Sequence, residues 1–138
     1  MEREILFRGL NEKGVFVEGH YYYELNDGHL IVETRHDAGD GRTTPPCDYQ
    51  EFERIDPETI GQYTGLKDKN GVEIFEGDVL KNKHIFGVDD EDHGEVIFAG
   101  GCFMIKYPYQ SLDLVEDVKE LEVIGNIHQN PELLTTKN

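Results

Sequence analysis

The tightest constraint on this chain is the placing of its turn dipeptides. Asp27-Gly28, Asn70-Gly71 and Gly100-Gly101 each stand between two short runs of alternating apolar and polar residues. Glycine and asparagine reach positive φ at little steric cost, and the tight turns that match strand twist need that conformation. A chain punctuated in this way reads as short antiparallel strands joined by hairpins, with little room for long helices.

The segments between the turns fit that reading. In "HYYYELNDGHLIVET", Tyr21, Tyr23 and Leu25 alternate on one arm, and Leu30 and Val32 on the other. In "GEVIFAGGCFMIKYPY", Val96 and Phe98 are in phase on one arm and Phe103, Ile105 and Tyr107 on the other, with Gly100-Gly101 as the turn. Ile5 with Phe7, and Val15 with Val17, mark two more strands near the start. Residues 36–50 break both periodicities with Gly, Asp, Thr and Pro45-Pro46, which predicts a long loop and a boundary.

Past that loop, Asp56 is a cap, Pro57 suits a first helical position and Glu58 a first turn. Gly61 and the β-branched Thr59, Ile60 and Thr64 limit the helix to one turn. Gly77 turns the chain again, and Val79 and Leu80 open a strand. Leu112, Val115 and Val118 have rough helical spacing and predict a short helix or crossover. Val123 and Ile127 mark a last strand, and Asn130-Pro131 starts a terminal turn.

The sum is a mainly β fold: a small pseudobarrel or sandwich of short antiparallel strands, with SH3-like barrel elements and one or two helical turns. A length of 138 residues suits a single domain over 1–138, or an N-terminal β subdomain over 1–50 with a barrel-like part over 51–138. A domain of this size buries roughly 68% of its unfolded surface and folds without a disulfide or metal.

The 29 acidic residues against 13 Lys and Arg give a formal charge of −16. Sequence-independent nucleic-acid binding rests on Lys and Arg displacing counterions, so this field disfavours phosphate backbones and anionic lipid. It favours basic protein partners. The two cysteines, Cys47 and Cys102, imply no disulfide framework; both read as reduced, and Cys102 as a small buried residue beside its turn. No basic leader with an apolar run opens the chain, and no apolar stretch reaches the ~20 residues of a membrane span. The expectation is a cytoplasmic protein.

No pattern for chemistry emerges. Asp68, Asn70 and Gly71 resemble the middle of a calcium loop, but Leu66 and Gly77 occupy the end positions where carboxylates belong. Their expected role is to hold a turn. Asp89-Asp90-Glu91-Asp92-His93 reads as a solvated acidic loop within residues 84–94, with at most weak cation binding anywhere in the acidic stretch 89–95. His20 and His29 flank one hairpin and could face each other, which supplies two ligands at most. Ser111, the only serine, has no local base, and no nucleophile elbow or glycine-rich phosphate loop is visible. No catalytic residue, cofactor or metal site is assigned. A low-priority interaction surface remains at Tyr63, Lys67, Lys69, Lys81 and Lys83, where bases and an aromatic fall together as on small barrels that bind single strands. Asp68, Glu73, Glu76 and Asp78 in the same span offset those bases.

Three strings, "IGQYTGLKDKNGVEIFEGDVLK", "GEVIFAGGCFMI" and "VIGNIHQNPELL", together resemble the YopX family of phage and prophage proteins. The opening "REILFRG" is similar to that family's usual start, although Gly9-Leu10 stands where an aromatic is often expected. The resemblance covers residues 1–8, 55–83, 94–107 and 121–134. It implies a compact, mostly β pseudobarrel and an origin in phage or integrated phage DNA. It brings no established activity and no catalytic residues.

The expected function is therefore an accessory protein that works by non-enzymatic binding to a host or phage protein, or to itself as a homo-oligomer. An acidic mimic of DNA that occupies a nucleic-acid-binding protein is the first alternative. A single-strand nucleic-acid binder is the second, and an unrecognised hydrolase the last.

Overall fold

The structure is a computed structural model that describes residues 4–83, 91–108, 110–114 and 120–134. Two compact units divide it, Ile5–Ile60 and the stretch from Gly61 onward, which also takes in Glu4.

The first unit is an antiparallel sheet of β1 (Phe7–Leu10), β2 (Phe16–Glu24), β3 (Gly28–Asp37) and β4 (Cys47–Arg54), in the order β4-β3-β2-β1. The Asp27-Gly28 signal does make a hairpin. Glu24 pairs with Gly28, so the loop is three residues long and closes on a glycine at φ +80. The Glu24 carboxylate accepts the amides of Asn26 and Asp27. Leu25 sits at the tip, 88% exposed, rather than on an arm. Leu30, Ile31 and Val32 are all buried, as is Ile55. Burying each such side chain contributes about 1.5–3 kcal/mol. Gly9 makes this packing possible, since a Cβ there would lie 2.5 Å from the Ile55 side chain.

The loop predicted over 36–50 is shorter, because β3 runs to Asp37 and β4 begins at Cys47. Asp40 organises what remains. Its carboxylate accepts the amides of Arg42, Thr43 and Thr44 and the Thr43 hydroxyl at 2.7–3.0 Å. The 3-10 turn Pro57–Thr59 follows, with the Asp56 side chain accepting the Glu58 amide as a cap. The Thr59 hydroxyl donates to the Asp56 carbonyl and accepts the Leu10 amide, tying this turn to β1.

The second unit begins with the antiparallel pair β5 (Gly61–Lys67) and β6 (Glu73–Phe75). It continues as an open five-stranded sheet of β7 (Asp78–Lys83), β8 (Glu91–Ala99), β9 (Cys102–Lys106), β10 (Ser111–Asp113) and β11 (Glu122–Asn126), ordered β10-β9-β8-β7-β11. The Gly100-Gly101 turn connects β8 to β9 with both glycines at positive φ, the geometry that a two-residue hairpin requires. Val96 faces Ile105 and Phe98 faces Phe103, as their alternation predicts. The core holds Ile74, Leu80, Val96, Ile105, Tyr107, Leu114 and Leu121. A 3-10 turn at Pro131–Leu134 ends the described chain.

The fold is mainly β, as expected, and its sheets are open rather than closed into a barrel. The acidic stretch departs from its reading in one respect. From Glu91 onward it is strand, with Glu91, Asp92 and His93 paired to Lys83, Asn82 and Lys81. Residues 84–90 lie outside the described residues. So do Val115 and Val118 of the predicted helix, while Leu112 lies in β10.

Candidate functional site

The block from Gly61 to Lys81 is held together by two buried carboxylates. Asp68, 6% exposed, accepts the amides of Asn70 and Val72 on one oxygen at 2.8 and 2.9 Å. Its other oxygen accepts the Val123 amide at 2.9 Å. One side chain thus closes the Asn70-Gly71 turn and docks it onto β11, and Lys69 adds a backbone bond to Leu121. Asp78, 2% exposed, accepts the Phe75 amide at 2.8 Å and closes the next turn. Gly77, at φ +87 in that turn, donates to the Val96 carbonyl and accepts the Ile127 amide. A buried carboxylate is tolerated where it accepts hydrogen bonds of this kind. Both carboxylates face backbone amides, and among the described residues no three His, Cys, Asp or Glu side chains converge as a metal site would.

The predicted surface residues do not form one patch. Tyr63 is 7% exposed and packs on Phe75 with ring centroids 5.4 Å apart. Burial pushes its phenol pKa up, and the Glu73 and Glu4 carboxylates add to the shift. Lys69 and Lys81 do come together, at 3.8 and 3.5 Å from one Glu122 oxygen. Lys67 is exposed beside Glu73 in the ladder. Lys83 belongs to the end of β7, paired with Glu91.

Two local expectations are corrected. His20 opposes Val32, while His29 opposes Tyr23, so strand register keeps the two histidines apart. His29 instead stacks on Tyr21 and hydrogen-bonds its hydroxyl through Nδ1. Cys102 is exposed, not buried, because it stands where β9 leaves the turn. Cys47 is likewise exposed and free.

The first unit carries surface features that the sequence did not bring forward. Tyr22, Tyr23, Tyr49 and Phe52 are each 44–56% exposed, and Tyr21 is 36% exposed. Tyr49 and Phe52 lie on β4, whose residues are all exposed along its whole length. The signal was present in "CDYQEFER", where two strand-forming aromatics punctuate polar residues. Around them, Arg35 bridges Glu33 and Glu51 at 2.7 Å to each, and His36 meets Asp48 at 2.7 Å.

Fold and site together define an open antiparallel β protein whose buried acids hold turns and whose outer strand displays aromatics and carboxylates. The YopX protein family model matches residues 7–135, and the chain belongs to the YopX family. It is also similar to a solved structure, protein EF1440 from Enterococcus faecalis. That likeness has a TM-score of 0.62 and 28% identity, over 96% of this chain and 99% of the other. No curated protein matches. No helix among the described residues is long and apolar enough to cross a membrane.

Proposed function

We propose that this chain is a phage-type accessory protein that acts by binding another protein, without catalysis of its own. The observation that carries this reading is the set of exposed aromatics on both faces of the first unit's sheet, Tyr22 and Phe52 on one and Tyr21, Tyr23 and Tyr49 on the other. Tyr22, Tyr23, Tyr49 and Phe52 stay half-exposed beside a core that has no need of them. Tyrosine and other aromatics are enriched where protein interfaces form their buried centres, because they supply large apolar area and a polar tip at low entropic cost. The acidic surround supports a basic partner and disfavours direct nucleic-acid contact.

The test is affinity capture from a bacterial lysate across a salt series, followed by measured binding of the recovered protein. Tyr22→Ser and Phe52→Ser variants, each checked for an unchanged amide spectrum, should lose a partner that the wild type holds. No specific partner at any salt, or a partner indifferent to both variants, contradicts the reading.

A further inference from the structure

β4 pairs with β3 on one side, and among the described residues no strand pairs with it on the other. An outer antiparallel strand turns alternate N–H and C=O groups away from its neighbour, which makes it a template for one more strand. All eight residues of β4 are exposed, and the turn residues Asn11–Lys13 come beside the strand at its C-terminal end, Phe52–Arg54.

Two hollows flank the strand. One, of about 240 Å³, is lined by Val17, Ile31, Phe52 and the carboxylates of Glu33, Glu51 and Glu53. The other, of about 250 Å³, shares Phe52 and Glu53 and adds Asn11, Lys13 and Arg54. The first hollow, with Val17 and Ile31 beneath Glu33, Glu51 and Glu53, suits a lysine or arginine, which buries its stem and leaves its charge at the surface. The acids are only partly offset. Arg35 is shared between Glu33 and Glu51, and Glu53 takes a neutral amide from Asn11.

We infer that the open edge of β4 takes up an extended, lysine- or arginine-bearing segment of a partner protein as an added strand. This rests on the protein-binding reading above and names the partner's chemistry and its place of docking. Main-chain bonds along the edge supply affinity, and the hollow rimmed by Glu33, Glu51 and Glu53, which receives side chains from one face of the added strand, supplies selectivity. Charge decides against a second copy as the occupant. Residues 5–60 hold twelve acidic side chains against five basic ones. Full antiparallel overlap of two β4 strands, over residues 47–54 of each, sets Asp48 against Glu53 twice, and like charges directly opposite destabilise a ladder. The same acids that oppose self-pairing select a strand of opposite sign.

The probe is a short synthetic peptide of alternating lysine and valine, titrated into the full-length, isotope-labelled protein. It should shift β4 amides and slow hydrogen exchange at every second β4 residue. Two further probes carry N-methyl groups on alternate residues in opposite phases; one phase blocks the ladder and should bind about tenfold more weakly than the other. An alternating glutamate and valine peptide should not bind. An Asp48→Lys, Glu53→Lys double variant should weaken the lysine peptide by about tenfold or more. Equal binding of both N-methyl phases, shifts confined to elements other than β3 and β4, or sedimentation as a β4-dependent dimer would each overturn the inference. A natural partner that the double variant still holds sinks the edge but leaves the binding reading intact. Failure to find any partner sinks that reading instead.

Discussion

The Asp68 carboxylate accepts the backbone amide of Val123 at 2.9 Å, joining a turn to a strand fifty-five residues away in sequence. The same side chain holds Asn70 and Val72, so the turn and its docking share one acceptor. Asp68→Ala leaves these donors without it in a site where water is scarce. The expected loss of stability is about 2–4 kcal/mol, since each unsatisfied buried donor costs about 1–3 kcal/mol and some relaxation follows. Asp68→Asn keeps one acceptor oxygen and should cost about half as much. Urea unfolding of both variants measures this; a change below about 0.5 kcal/mol for Asp68→Ala would place the amides in other hands.

Two glycines should respond differently to alanine. Gly94 is buried in β8, and a Cβ there would lie 2.3 Å from the Ile105 side chain and 3.0 Å from the Tyr107 ring. Overpacking of that kind costs about 3 kcal/mol at the upper end of its range. Gly101 has open space but φ +85, so its alanine variant should cost only about 1 kcal/mol, through backbone strain alone. Thermal unfolding of Gly94→Ala and Gly101→Ala gives the order, and the reverse order would contradict the register of β8 on β9.

Features set by near neighbours were legible in the sequence, and those set by distant ones were not. The Asp27-Gly28, Asn70-Gly71 and Gly100-Gly101 hairpins follow from local φ requirements, and the Asp56-Pro57 cap from a local amide. Alternation placed Val96 opposite Ile105 correctly. It also put Tyr21 and Tyr23 on a common face, but whether a face is covered depends on what packs there, and both rings are exposed. Proximity in sequence grouped Tyr63 with Lys67, and their even spacing would keep them on one face, but the ladder shifts register between them, around Gly65 at φ +87, so Tyr63 packs on Phe75 and Lys67 is exposed. The turn-holding role of Asp68 was readable from Asn70-Gly71. Its bond to Val123 was not, because nothing local to either residue signals the other. β4 was not legible because Tyr49 and Phe52 stand three apart, which breaks the two-residue alternation that marks a strand.

Acid should leave the Asp40 loop ordered longer than an ordinary carboxylate would. Hydrogen bonds from the Thr44 and Arg42 amides, then from the Thr43 hydroxyl, hold its pKa down at about 2, against 3.8 ordinarily. The folded state favours the charged form. The stabilisation is therefore present above pH 3.8 and is lost as pH falls toward 2. Carbon-detected titration of the side chain should give a midpoint near the lower value; a midpoint near the ordinary one would mean the loop does not close on Asp40.

Both thiols are open to solvent in the folded protein. A chromogenic disulfide reagent should therefore modify Cys47 and Cys102 fully without denaturant, at rates close to those in the unfolded chain. A thiol that reacts only after unfolding would contradict the exposed position of that residue.

The Asp68 and Asp78 carboxylates are structural acceptors for backbone amides, Asp68 with both of its oxygens. Amide hydrogen exchange at Asn70, Val72 and Val123, with and without millimolar calcium, tests it most directly. Exchange should be slow at all three, faster in Asp68→Asn, and unchanged in rate or shift by calcium. Fast exchange in the wild type, or calcium-dependent protection centred on Asp68, would contradict it.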